Sequence, residues 1–448
     1  MNSFAKQIID NSIKSQKVEM ARNRRKLIYK LLDYYNGDNT EQYLENYFKA
    51  NAFQEIPTTS MNITKRFIDR LSRIYTLGAS RTLGSNQEQY DNLTRLKDLK
   101  LKHFEKMTNL LGTLAVEVSL NENNGVPYFD YNPKYAFDVE LDPLNPLKPI
   151  AIKYPIISHT DDATEGNEVL RYAYYDDQGF IIYDENGKEL QAETHNMGVL
   201  PFVFLHRDHH QLDFFVPGAI DIMSCNEMVN ILFSEMNLGM RFQMFGQYTI
   251  TGLYQDEKFQ RAGSDEIIIL PEGADLDIVA PDVNVGDAIK LAKSMLEIVA
   301  ANNHLTIAFE DNNKERPQSG IALKIRDIER QEDYQDRLEL WSIYEQELYN
   351  LERISANTIG INLPDTVGID FNEPSPVMTT QEEIMWNDWM IANNMTTKAQ
   401  LLQKYNKDLS LKQAEKIIEK NKEINGSGEE KQTGSIFNRL RSATQETE

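Results

Sequence analysis

The feature that most constrains this chain is the stretch from Ile321 to about Ile354, which holds no glycine or proline and is built mostly from strong helix formers. At 1.5 Å per residue it predicts a rod of roughly 50 Å, longer than an ordinary domain core requires. Its apolar stripe is broken. Ile321, Ile325 and Ile328 share one face, Glu329, Arg330, Gln331, Glu332 and Asp333 interrupt it, and Tyr334, Leu338, Trp341, Tyr344, Leu348 and Leu351 resume on a shifted face. A helix charged all round at its centre needs polar neighbours or water there. It is either a long solvated helix in a helical domain or a spine in a ring-shaped assembly, headed by the polar loop Phe309 to Gln318.

A chain of 448 residues has room for two or three domains, and a hydrophobic fraction of 41% supplies ample core. Its net charge of −22 argues against a broad grip on nucleic acid, because affinity for phosphates comes from clustered positive charge. If it handles DNA, it should let the DNA slide. A single cysteine, Cys225, excludes an intramolecular disulfide and any cysteine-based metal cluster, and points to a reducing compartment. No window approaches the ~18 consecutive apolar residues of a membrane-spanning helix.

Residues 4 to 36 read as a helix, locally basic at Arg22, Arg24, Arg25, Lys26 and Lys30, and stopped by Gly37. The basic run is either a solvated face or a contact for an acidic neighbour or nucleic acid. Helical blocks follow at Ile63 to Tyr75 and Gln87 to about Leu111. The period then changes to strands: a hairpin at Leu114 to Leu120 and Tyr128 to Tyr131, then Ile150 to Ile157, Leu170 to Tyr175, Phe180 to Tyr183 and Pro201 to Leu205. Helices first and antiparallel strands after predict an α+β fold. From Pro217 to about Met244 the pattern is helical again. Short strands at Tyr248 to Thr251, Ile267 to Leu270 and Ile278 to Ala280 form a glycine-punctuated insert, and a helix capped by Asp282 runs on to about Asn303. Pro364 to Pro376 reads as extended. Helices follow at Thr380 to Asn393, with a Thr380/Glu383 capping box, at Thr397 to Tyr405 and from Leu411 to about Asn421; residues 425–448 read as a disordered tail.

Catalytic signatures are missing from the sequence. The cluster His206, Asp208, His209, His210 and Asp213 is the densest titratable group, but adjacent histidines diverge on a strand or a helix, so a polar loop is the simpler reading. Neither a Walker phosphate loop nor a nucleophile elbow occurs, and Cys225 sits within an apolar helix.

The order of several segments is informative. Tyr34-Tyr35-Asn36-Gly37-Asp38 follows a basic helix, Met61 to Arg70 leads to Gly78, Tyr131-Asn132-Pro133 follows the first hairpin, and His195 to Pro201 precedes an apolar strand. Ser319-Gly320-Ile321-Ala322-Leu323-Lys324 then opens the long helix, and Phe371-Asn372-Glu373-Pro374 leads to Gln381-Glu382-Glu383. In this order, over roughly residues 30 to 420, the chain resembles the portal proteins of tailed bacteriophages of Gram-positive hosts and their relatives.

The resemblance implies a virion protein without cofactor or enzymatic activity, assembled as a ring, usually a dodecamer, at one capsid vertex. By position it implies N-terminal helices and wing at 1–216, and stem helices at 217–303 around a clip at 246–280. A tunnel loop, a long kinked helix and a return to the wing occupy 304–377, and a helical crown 378–424. Glu310, Asp311, Asn312, Asn313, Lys314, Glu315, Arg316 and Gln318 would line a channel for double-stranded DNA. Glu329, Arg330, Glu332 and Asp333 would meet neighbouring subunits. Tyr254, Asp256, Lys258 and Arg261 would form the clip surface for the terminase large subunit and the head-completion adaptor, with major capsid and scaffolding proteins as further partners. From other classes, the alternatives are a helical scaffold acting only by protein contacts and a metal hydrolase using His206 and His209.

Overall fold

A computed structural model of the chain describes residues 3–50, 58–123, 125–159, 168–209, 212–245, 247–252, 273, 275–280, 282–305, 320–371, 380–406 and 411–426. It divides into two compact units, Met1–Glu373 and Pro374–Glu448.

In the first unit α1 (Ser3–Asn36) ends as expected at Gly37, whose φ of +87° and N–H bond to the Asp33 carbonyl make a left-handed cap. There follow α2 (Thr40–Ala50), α3 (Ile63–Leu71), β1 (Ala79–Leu83), α4 (Gln87–Leu93) and α5 (Lys97–Leu111). The hairpin is β2 (Thr113–Asn123) with β3 (Val126–Lys134). Next come β4 (Asp138–Asp142), β5 (Asn145–His159), β6 (Glu168–Tyr175), β7 (Gly179–Tyr183) and β8 (Glu189–Thr194), which form one antiparallel sheet in sequence order. After them β9 (Phe202–His206) returns to β2, giving the order β3-β2-β9.

That return makes β2 and β9 central. Leu114, Val116, Val118, Val203 and Leu205 enter the main core with the helices, while Ala115, Phe202 and Phe204 pack on Phe137, Ile152, Tyr154 and Ala173. A strand buried on both faces must be apolar at every position, which is why Phe202 to Leu205 does not alternate. At the corner between α5 and β2, Gly112 has φ +83°, and a β-carbon there would collide with the Val216 carbonyl. This close approach seats the start of the next helix, where the Ala219 N–H bonds the Leu110 carbonyl at 2.8 Å.

That helix is α6 (Ile220–Phe245), which packs against α7 (Val285–Asn302). Between them in sequence, β10 (Gln247–Thr251) and β11 (Asp275–Val279) pair antiparallel. The long element is present as α8 (Gly320–Thr358), 39 residues in one helix. After it β12 (Val367–Phe371) pairs with β1, from Ala79 opposite Phe371 to Leu83 opposite Val367.

The structure corrects several boundaries. The helix expected to run to Tyr75 stops at Leu71, because Ser72 bonds back to the Ile68 carbonyl and the N–H groups of Ile74 and Tyr75 are taken by the buried Glu105 carboxylate at 3.0 and 3.2 Å. The block Gln87 to Leu111 is two helices, parted where the Thr94 hydroxyl bonds the Tyr90 carbonyl. The cap of α7 is Asn284, not Asp282; its side chain accepts the Asp287 N–H at 3.2 Å. Strands β1, β4 and β8 and helix α2 had no sequence expectation. The expected strand Ile267 to Leu270 and the side chains of the Thr380/Glu383 capping box lie outside the described residues.

The second unit contains α9 (Thr380–Ala392), α10 (Lys398–Tyr405) and α11 (Leu411–Gly426). Thr397 and Gln400 make a reciprocal capping box at the start of α10. Ala399 and Ala414 are buried where α10 meets α11, and Trp386 and Trp389 stack on the exposed face of α9.

Candidate functional site

The long helix is held by charge. On the core face of α8, Trp341, Glu345, Leu348, Glu352 and Ala356 follow helical spacing and are all buried, so two carboxylates sit within the apolar stripe. Lys97, 1% exposed on its side chain, places its ammonium 3.2 Å from Glu345 and 2.7 Å from Glu352. Arg81, reaching in from β1, forks onto Glu345 at 2.9 and 2.5 Å and meets Asp98 at 2.8 Å. Three tyrosine hydroxyls complete the set: Tyr75 donates to Glu345 at 2.8 Å, and Tyr90 and Tyr131 donate to Glu352 at 2.8 and 2.6 Å. Two buried anions thus face two cations, with the remaining acceptor positions filled by phenols.

The consequences for ionisation follow. Burial alone would raise the Glu345 carboxyl, but the Lys97 ammonium and the Arg81 guanidinium override it and hold it down to about 2. Burial, reinforced by the neighbouring glutamates, pushes the Tyr75 and Tyr131 phenols well above their ordinary value, so they remain donors. A buried ionic set is weak as a source of net stability, but it is exacting about position. Sliding α8 by a turn would leave unpaired charges in the core.

Neutral groups hold α6. Asn226, Asn230 and Ser234 recur every fourth residue on one face and are fully buried. They grip the segment Thr59 to Met61 and the start of α3. The Thr59 N–H donates to Ser234 at 2.8 Å, the Met61 N–H donates to Asn230 at 2.9 Å, and the Asn230 amide returns a bond to the Met61 carbonyl at 3.2 Å. Asn226 closes the series by donating to the Thr64 hydroxyl at 3.0 Å. A segment outside any sheet thus finds its backbone partners on a helix.

The residues singled out in the sequence fall as follows. The basic run is largely neutralised within the chain: Arg24 and Arg25 both bond Asp138, Arg24 also lies 3.5 Å over the Phe215 ring, and Lys30 bridges to Glu227 at 3.0 Å. In the charged girdle Glu332 is exposed, and Asp333 pairs with Arg337 one turn on at 3.0 Å, while Arg337 reaches Asn109 at 3.4 Å. The side chains of Glu329 and Arg330, the loop from Glu310 to Gln318, and Tyr254, Asp256, Lys258 and Arg261 lie outside the described residues. His206 ends β9, where its N–H donates to the Tyr344 hydroxyl at 2.9 Å and its ring meets Thr113 at 3.2 Å. Among the described residues no group of three or more His, Cys, Asp or Glu side chains is placed to hold a metal ion, and no helix is long and apolar enough to cross a membrane.

Neither set of buried polar groups was singled out from sequence. A usable signal existed for the first, because Glu345 and Glu352 stand seven residues apart on the apolar face of α8. Lys97 and Arg81 carried none, as their partners lie some 250 residues away. Asn226, Asn230 and Ser234 had the helical spacing but were passed over among the methionines and isoleucines of α6.

No family model and no curated protein matches the sequence. Among solved structures, the chain aligns with one from the neck of an empty GTA particle computed with C6 symmetry, at 9% identity and a TM-score of 0.38, over 81% of this chain and 92% of that one. So distant a likeness decides neither fold nor function. The architecture itself is mixed α/β, with helices leading, antiparallel sheets in the middle and helices again at the end.

Proposed function

We propose that the chain is the subunit of a portal ring, about twelve copies around a channel at one vertex of a phage-type capsid. In this reading it passes double-stranded DNA in both directions, docks the packaging motor first and the head-completion adaptor later, and catalyses no reaction. What supports it most is order. The six sequence landmarks stand along the chain as portal proteins have them, and the elements between them suit the parts required. The helices α6 and α7 pack together and meet β10 and β11 where the insert begins, as a stem carrying a clip would. The helix α8 has the length of a spine and is locked in register by its buried charges.

The chemistry of the proposed tunnel loop suits a channel. Each neutralised phosphate adds affinity and salt-dependent drag, so a conduit gains from weak contacts. Glu310, Asp311 and Glu315 against Lys314 and Arg316 leave the loop nearly neutral, while Asn312, Asn313 and Gln318 supply adaptable hydrogen bonds that read no bases. Glu329, Arg330, Glu332 and Asp333 would set the register between neighbours, and Tyr254, Asp256, Lys258 and Arg261 would face the terminase large subunit and the adaptor. Replacing Glu310, Asp311 and Glu315 together with Lys should create a positive collar that shortens packaged DNA and slows ejection, most at low salt. Normal DNA length and ejection rate at both low and high salt would remove this loop from the channel.

A further inference from the structure

The outer side of α3 is basic. Thr64, Phe67, Ile68 and Leu71 are buried, which leaves Lys65, Arg66, Asp69 and Arg70 exposed, with Arg73 just beyond the helix. The one carboxylate of this face is already engaged within the molecule, where Asp69 accepts from the Tyr35 hydroxyl at 3.1 Å and from the Lys106 ammonium at 2.6 Å. Lys106 lies on α5, and Lys102, one turn earlier and exposed, extends the cationic surface. Arg66, Arg70 and Lys102 pair with no carboxylate among the described residues. The ridge is a local exception in a chain of net charge −22.

The opposite charge gathers on the five-stranded sheet. Its last strand, β8, has all of its residues exposed, Glu189 and Glu193 among them. The turns at the two ends of β7 add Asp176 and Asp177 on one side and Asp184 and Glu185 on the other, and Lys188 is the one lysine or arginine from 176 to 194. A strand so charged does not pair with a copy of itself, because like charges would face each other. Two different patches of opposite sign on one chain favour a head-to-tail contact instead, which repeats around a ring or along a filament. We propose that the α3–α5 ridge docks on the β8 edge of a second copy of this chain, with Arg66 and Arg70 toward Glu189 and Glu193. A duplex would carry unbroken phosphate charge past the ridge onto the acidic remainder of the chain, whereas β8 offers its carboxylates only over the width of the ridge. The proposal rests on the ring reading above and adds the surfaces that meet.

The test compares full-length variants by mass photometry across protein concentration and salt. Arg66→Glu with Arg70→Glu should raise the concentration needed for assembly about tenfold at low salt and less at high salt. Glu189→Lys with Glu193→Lys should weaken assembly as well, although it lowers the net negative charge and so relieves general repulsion. The chain carrying all four changes has the wild-type net charge and opposite signs at the contact again, so it should recover part of the loss. If the wild type forms rings and both paired variants assemble as it does, or the four-change chain is no better than either pair, the proposal is overturned and the ring reading stands. A wild-type chain that is monomeric at every concentration overturns both. If assembly is unchanged and Arg66→Glu with Arg70→Glu instead abolishes low-salt binding of a double-stranded DNA fragment, the ridge belongs to a phosphate backbone and not to a second copy.

Discussion

Two long helices of this molecule are fixed by buried polar groups, and they are fixed differently. The helix α8 brings two carboxylates into the core against Lys97 and Arg81, whereas α6 offers two amides and a hydroxyl to a backbone segment. Both arrangements specify an axial position that an apolar stripe alone would leave free, because leucine against leucine tolerates a slip that charge or amide against its partner does not. They differ in what happens when one member is lost. Removing an amide leaves a dipole unsatisfied; removing Lys97 leaves two anions in a medium that cannot solvate them.

The sharpest way to break that comparison is Lys97→Met. It should destabilise the first unit by ~3–5 kcal/mol, since Glu345 keeps only Arg81 and Glu352 keeps only phenols. Adding Glu352→Gln should recover part of the loss in urea unfolding, which a simple packing defect would not allow. Acid comes next. The Glu345 carboxyl is held at about 2 in the folded chain against ~4.3 unfolded, so its stabilisation is present above pH ~4 and is lost as the pH falls from there toward 2. Glu345→Gln should flatten that limb of the stability profile by about 3 kcal/mol, whereas substitutions in the α6 ladder should leave its slope unchanged. Smaller still is Asn230→Ala, which strands the Met61 N–H and carbonyl and should cost ~1–3 kcal/mol. If Asn230→Ala proved as costly as Lys97→Met, the distinction between the two helices would fail.

Much of the architecture was legible in the sequence because it was local. The 39-residue helix, the Gly37 stop and the β2–β3 hairpin follow from propensity, periodicity and turn residues within a few positions of each other. What the sequence hid was long-range. Ala79-Ser80-Arg81-Thr82-Leu83 becomes a strand only because Val367 to Phe371 lies beside it, and Lys97, which reads as an ordinary lysine inside the expected helix Gln87 to Leu111, is buried only because α8 delivers two glutamates to it. The girdle teaches a related point. Asp333 has an intrahelical partner in Arg337, an i, i+4 pair whose spacing is visible in the sequence.

Ring assembly is the central requirement of the proposed function, and one measurement addresses it directly. The full-length chain, purified and examined by negative-stain microscopy with mass photometry on the same sample, should give closed rings with a central hole and a mass near about twelve times 51.7 kDa. Monomers or dimers at every concentration, with no annular particles, would contradict it.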